Sequence, residues 1–192
     1  MTLQIAQDEA ADEVLSTNAF ALLAGMLLDQ QFPMERAFAG PAKILDRFGT
    51  LDPETISGAP PEEFAAVCAT PPAVHRFPGA MAARIQELAA HVVEHYAGRT
   101  AALWESAESG AELLRRMQAL PGFGKQKSQI FIALLGKQLA VRPDGWERAA
   151  GAYAEEGSYR SVADVRNPES LERVRRFKRE QKAAKAAHTV KT

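Results

Sequence analysis

Asp144 is the carboxylate in this sequence whose surroundings could do chemistry. It follows Val141-Arg142-Pro143 and lies 20 residues after Gly124 (144 − 124). A carboxylate can stabilise positive charge developing beside it and can orient or deprotonate a water. Upstream stands Leu120-Pro121-Gly122-Phe123-Gly124. Pro121 cannot continue a helix, and the two glycines allow backbone angles closed to other residues. A helix that ends there and restarts at Lys125 forms a helix-hairpin-helix. The glycine amides and the new helix N-terminus would then face outward as a site for a phosphate. Lys125 and Lys127 flank that spot and can add charge-assisted contacts, with Gln126 between them.

The elements that must position these groups read as helices. Leu113, Leu114 and Met117 recur at helical spacing over 112–119, and Ile130, Phe131, Leu134 and Leu135 do so over 125–136, where Gly136 is a stop signal. Phe20 to Leu28 is apolar nearly all round, the pattern of a buried central helix, with Asn18 as its N-cap. That helix ends in Asp29-Gln30-Gln31-Phe32-Pro33. Met34 to Phe48 reads as an amphipathic helix broken or shifted at Gly40-Pro41. Short helices are expected over 51–56 and 60–68, and a long one over 80–96. Asp144 to Glu147 has the capping-box pattern, with Asp at the N-cap and Glu at N3. Residues 153–159 read as a glycine-containing loop, and a long helix rich in Arg, Lys and Ala begins at Pro168. No strand-like alternation of useful length occurs, so the fold class is all-α.

Leu120-Pro121-Gly122-Phe123-Gly124, an apolar helix and then Asp144 together resemble the helix-hairpin-helix-Gly-Pro-Asp (HhH-GPD) superfamily of base-excision DNA glycosylases. The likeness runs from about Asn18 to Ala150. It implies a single unit over residues 1–192 made of two helical lobes, with the hairpin at 111–136 and a basic C-terminal helix at about 168–187. It implies hydrolysis of the N-glycosidic bond of a damaged base flipped out of duplex DNA, with Asp144 as the catalytic carboxylate. It implies DNA contacts at Gly122, Gly124, Lys125, Gln126 and Lys127, and at Gln31 with Gln30 nearby, Gln31 standing where the family carries a glutamine that enters the duplex. Members that also cut the strand use a lysine two residues after the second hairpin glycine. That position is Gln126, so base removal without strand cleavage is the expected activity. Family hairpins often hold a monovalent cation through backbone carbonyls, here those of Gln118, Leu120 and Phe123. The chain departs from the family pattern in following its aspartate with Gly145-Trp146 and preceding it with Arg142-Pro143. A DNA-backbone clamp without catalysis stays open as the alternative.

A flipped base needs an apolar, aromatic pocket with a few polar readers. Phe32, Met34, His75, Phe77, Trp104 and Trp146 qualify by residue type and approximate place, each with plain core packing as its competing use. The single cysteine, Cys68, excludes an internal disulfide and the four-cysteine iron–sulfur cluster of some relatives. Of the four histidines, His91 and His95 share a helix face, but no third zinc ligand accompanies them. The net charge of −1 argues against a general nucleic-acid binder, yet it is unevenly placed. Residues 1–70 hold 11 Asp/Glu against 3 Lys/Arg, whereas residues 171–192 hold 8 Lys/Arg against 2 Glu. That basic flank is compatible with docking on a phosphate backbone. The first residues lack a basic-then-apolar signal pattern and no apolar run approaches a membrane span, so a cytoplasmic, nucleoid-associated monomer is expected.

Overall fold

The computed structural model describes residues 2–189. Among them there are eleven α-helices, two 3-10 turns and no strand. The helices are α1 Glu9–Thr17, α2 Ala19–Leu28, α3 Met34–Phe48, α4 Pro53–Gly58, α5 Pro61–Ala69, α6 Pro78–Tyr96, α7 Ala102–Glu105, α8 Gly110–Gln118, α9 Lys125–Gln138, α10 Trp146–Ala150 and α11 Pro168–Thr189. The fold is all-α.

The sequence explains the main boundaries. Asp8, Asn18, Asp52 and Ser109 each accept a hydrogen bond from the first turn of the following helix, at Ala11, Ala21, Thr55 and Glu112. α2 buries every residue from Phe20 to Leu28, as its unbroken apolar run requires, and forms the centre on which α1, α3 and α6 pack. The acidic segment before it has a structural use. Buried Asp12 accepts the backbone N–H of both Ile5 and Ala6 at 2.8 Å, pinning the first turn of chain to the core.

Three local expectations are corrected. α3 runs unbroken through Gly40-Pro41. A Cβ on Gly40 would lie 2.6 Å from Leu28 Cδ1, so the glycine lets α2 approach, and that packing outweighs the hydrogen bond lost at Pro41. α9 does not stop at Gly136 but continues to Gln138. Gly136 is there for packing, because a Cβ on it would lie 2.3 Å from the Trp146 ring. Residues 151–154, partly assigned to a loop, form a 3-10 turn, and a second covers Val162–Asp164.

Candidate nucleic-acid interface

The hairpin forms as its residue types demand. α8 ends at Gln118, the Phe123 N–H closes a turn on the Leu120 carbonyl at 3.1 Å, and Gly122 takes φ +79°. A Cβ at Gly122 would also strike Leu27 Cδ1 at 2.6 Å, so glycine is required twice over. Gly124 is the N-cap of α9 and supplies no side-chain hydrogen bond. Among the described residues the N–H groups of Gly122, Gly124, Lys125 and Gln126 find no acceptor, and all four residues are exposed. Free amides at a helix N-terminus favour an anion. The carbonyls of Gln118 and Phe123 likewise accept nothing among the described residues, whereas Leu120 has one lone pair engaged in the turn. Hard oxygens with free lone pairs are the donor type a monovalent cation takes.

Lys127 is corrected from a phosphate contact to an internal cap. Its Nζ donates to the carbonyls of Met26, Leu27 and Asp29 at 2.8, 3.1 and 3.5 Å, closing the C-terminus of α2. Burial pushes this amine down to about 8, with Asp29 pulling the other way. The same bonds tie the loop after α2 to the hairpin. In that loop Gln30 is bound internally: its Nε2 donates to Leu27 O, its Oε1 accepts from Arg84, and its carbonyl accepts from His75 Nε2 at 2.8 Å. Gln30 therefore shapes the loop. Gln31 is exposed, sits at φ +52°, and makes no side-chain hydrogen bond among the described residues. A non-glycine residue in the left-handed region with an idle amide at a loop tip is poised for a ligand.

The six residues expected around a flipped base do not converge. Phe32, His75 and Phe77 form one cluster, with ring centroids 4.8 Å and 6.0 Å apart in succession. His75 is buried within it, while Phe77, 47% exposed, is a large apolar side chain in the open, capped by the Arg76 guanidinium at 4.8 Å. Met34 and Trp104 belong to the core, Trp104 packing edge-on to Phe131. Trp146 is buried against Gly136, with Arg142 stacked over its ring at 5.3 Å.

Asp144 is exposed and is not the helix cap: α10 starts from Gly145 at φ +77°, and no side chain caps it. The Asp144 carbonyl accepts the Gly110 N–H at 2.8 Å, which fixes it at the N-terminal end of α8. The glycine corner lies past the other end of that nine-residue helix, about 14 Å away along its axis. Either side of Asp144 in the chain, Trp146 packs on Gly136 of α9 and Arg142 Nε donates to the Gly136 carbonyl at 2.8 Å.

Sequence reasoning missed the cleft. It opens between the N-terminal half of α9, the first 3-10 turn and α11, with a volume of about 560 Å³, within the roughly 300–1,000 Å³ span of small-molecule sites. Gln126 stands at its edge and donates to Tyr153 Oη at 2.9 Å. The far wall is α11, held in place by ion pairs from Arg175 to Glu35 and from Lys178 to Asp29, the latter at 3.7 Å. The hairpin amides, Gln31 and this cleft are thus joined through Lys127 and Asp29.

The family model for HhH-GPD superfamily base excision DNA repair proteins matches residues 24–191. The chain belongs to this superfamily. Neither a curated protein nor a solved structure matches it. Membership makes base excision DNA repair its process and DNA its substrate.

Proposed function

We propose that this protein is a DNA glycosylase that removes a damaged base by hydrolysis, as a monomer, and leaves the strand intact. The observation that carries this reading is the bonding of hairpin Lys127 to the Met26, Leu27 and Asp29 carbonyls. It sets Gln31 two residues from the fixed Asp29, so the loop tip and the phosphate-binding amides meet one duplex in fixed register. Phe77 and Arg84 extend the same face, since His75 and Arg84 both bond Gln30. An apolar wedge beside a glutamine can separate stacked bases while the hairpin holds the backbone. Gln126 in place of a lysine supports the absence of a Schiff-base step, because its carboxamide is not a nucleophile. A monovalent cation on the Gln118, Leu120 and Phe123 carbonyls would brace the hairpin.

A second reading, a protein that holds an extruded nucleotide without cutting, is favoured by one observation: Asp144 is held at the N-terminal end of α8, about 14 Å along that helix from the glycine corner with the free amides. The two readings separate in one experiment. Duplexes bearing uracil, hypoxanthine, methylated purines or oxidised purines are incubated with protein and treated with alkali to reveal abasic sites. Excision by the native chain, reduced at least about a hundredfold in Asp144→Asn with duplex binding retained, is the result expected of a glycosylase acting through Asp144. Tight binding without alkali-labile sites anywhere in the panel leaves the holding protein. Borohydride trapping on the same duplexes is expected to yield no covalent adduct.

A further inference from the structure

We infer that the hollow between the C-terminal turns of α6 and α8, where His91, His95 and Arg115 meet, is a second phosphate site for the DNA strand that leaves the hairpin. This rests on the proposed function and adds to it a contact beyond the glycine amides. The hollow has a volume of about 430 Å³ and is lined by His91, His95, Tyr96, Arg115, Arg116 and Ala119.

Its place follows from the chain. Ala119 directly precedes Leu120, so the hollow stands three residues from Gly122 (122 − 119), at most about 10 Å of chain. His91 and His95 lie 7 and 11 residues beyond Arg84 (91 − 84 and 95 − 84), about two and three turns on, and so share its face of α6. Arg84 bonds Gln30 Oε1 in the loop that carries Gln31. These two links tie the hollow to both elements that the proposed function sets against the duplex.

The donors fit an anion. The two imidazole centroids are 4.3 Å apart, close enough for both rings to reach one phosphate. Among the described residues the Arg115 guanidinium has one partner, Glu112 at 3.9 Å, and its side chain is 78% exposed, so that contact yields to a phosphate at little cost. Glu112 is held more closely by Arg116, at 2.6 Å, and Arg116 also donates to Ser106 Oγ. The carbonyls ending the two helices are met as well. Val92 O accepts the Ala97 and Gly98 amides, and Arg115 O and Arg116 O accept that of Ala119. They leave little partial negative charge to oppose an anion. Two imidazoles four residues apart also resemble the start of a metal site, but two arginines share the hollow and no third ligand joins them among the described residues.

Binding there is coupled to protons. Burial holds the His91 pKa below its usual value, with His95 adding to the effect and Glu94 opposing it. Glu94 lies 3.7 Å from His95 Nε2, and Glu54 of α4 stands against Gly98 just past the helix. A phosphate on the pair stabilises the protonated rings, so duplex affinity rises as pH falls through the histidine range.

The test is anisotropy of a labelled undamaged duplex at about pH 8 and pH 5.5, with histidine C2-proton NMR on the same samples. The native chain should bind about fivefold more tightly at the lower pH, and His91→Gln/His95→Gln should reduce that gain to below about twofold. Arg115→Ala should lower the slope of log affinity against log salt by about 0.9. Duplex should raise the pKa of two histidine resonances of the native chain, the two that the double variant lacks. This native reading decides the matter even if the double variant fails to fold. Native affinity that does not change with pH, a full gain in the double variant, or an unchanged salt slope in Arg115→Ala overturns the inference. So do histidine shifts that inorganic phosphate produces and duplex does not, which would mark a site for a free anion. Lesion excision by the native chain survives any of these failures, whereas a native chain that binds no duplex at either pH overturns both the proposed function and the inference.

Discussion

The two ends of α9 follow opposite rules. At its C-terminus the polar groups are largely met within the protein. Lys137, its side chain 2% exposed, donates to Asp164 Oδ1 and to the Glu155 carbonyl, each at 2.6 Å. Gln138 Nε2 donates to Ala163 O and Val165 O at 2.9 and 3.1 Å, Arg166 bonds the Lys137 carbonyl, and Arg142 bonds that of Gly136. At the N-terminus four amides point outward with no acceptor among the described residues. Buried groups must be satisfied for the chain to fold, whereas exposed ones are left open at little cost because water serves them until a ligand does. A single helix thus has one end committed to the fold and the other left open to a ligand.

The largest test of this contrast is Lys137→Met, which leaves Asp164 buried without its counter-charge. A loss of about 3–5 kcal/mol is expected in urea unfolding. A loss below about 1 kcal/mol would mean that the Arg160 and Ser161 amides, which also bond Asp164, carry the carboxylate alone. Gly122→Ala comes next, since it should disturb both rules. Its positive φ and the Leu27 contact should cost about 1–2 kcal/mol of stability, and duplex affinity should fall because the amide turns away. Affinity kept at native level would remove Gly122 from the interface. Lys125→Ala should leave the unfolding midpoint within experimental spread and reduce the slope of log affinity against log salt by about 0.9, one phosphate contact. An unchanged slope would take that lysine off the backbone.

The smallest effect concerns Lys127, the one cation at the open end that faces inward. Its amine sits at about 8 in the folded chain and near 10.5 when unfolded, so the unfolded chain keeps its proton longer as pH rises. Stability should therefore increase between about pH 8 and 10.5 relative to Lys127→Gln. The comparison with the variant matters because Cys68, its thiol pushed up to about 12 by burial, pulls stability down over the upper part of that range. No difference in pH slope between the two proteins would show Lys127 to be solvated in the native state.

The hairpin and most helix starts were legible because their causes are local. Pro121, Gly122 and Gly124 decide the turn by backbone geometry alone, and Asn18 and Asp52 cap helices within three residues of themselves. Lys127 was not legible in the same way: beyond its first turn α9 is buried on most sides, with Ser128 and Ile132 as buried as Phe131 and Leu134, so spacing does not separate Lys127 from Lys125. Asp144 misled because a capping-box pattern fits its sequence, yet Gly145 takes the cap position and the close approach of Gly110 to Gly145 fixes the turn. The cleft left no local trace. Its far wall exists because Arg175 pairs with Glu35 across 140 positions of chain, a contact that no spacing rule announces.

The Lys178–Asp29 pair has a mechanical consequence. Asp29 begins the loop that ends in Gln31, and Lys178 belongs to the wall of the cleft, so a strand pressing on the glutamine also loads the helix opposite. Under the proposed function, loop tip and cleft wall are linked through that ion pair, so a load on one would be felt by the other.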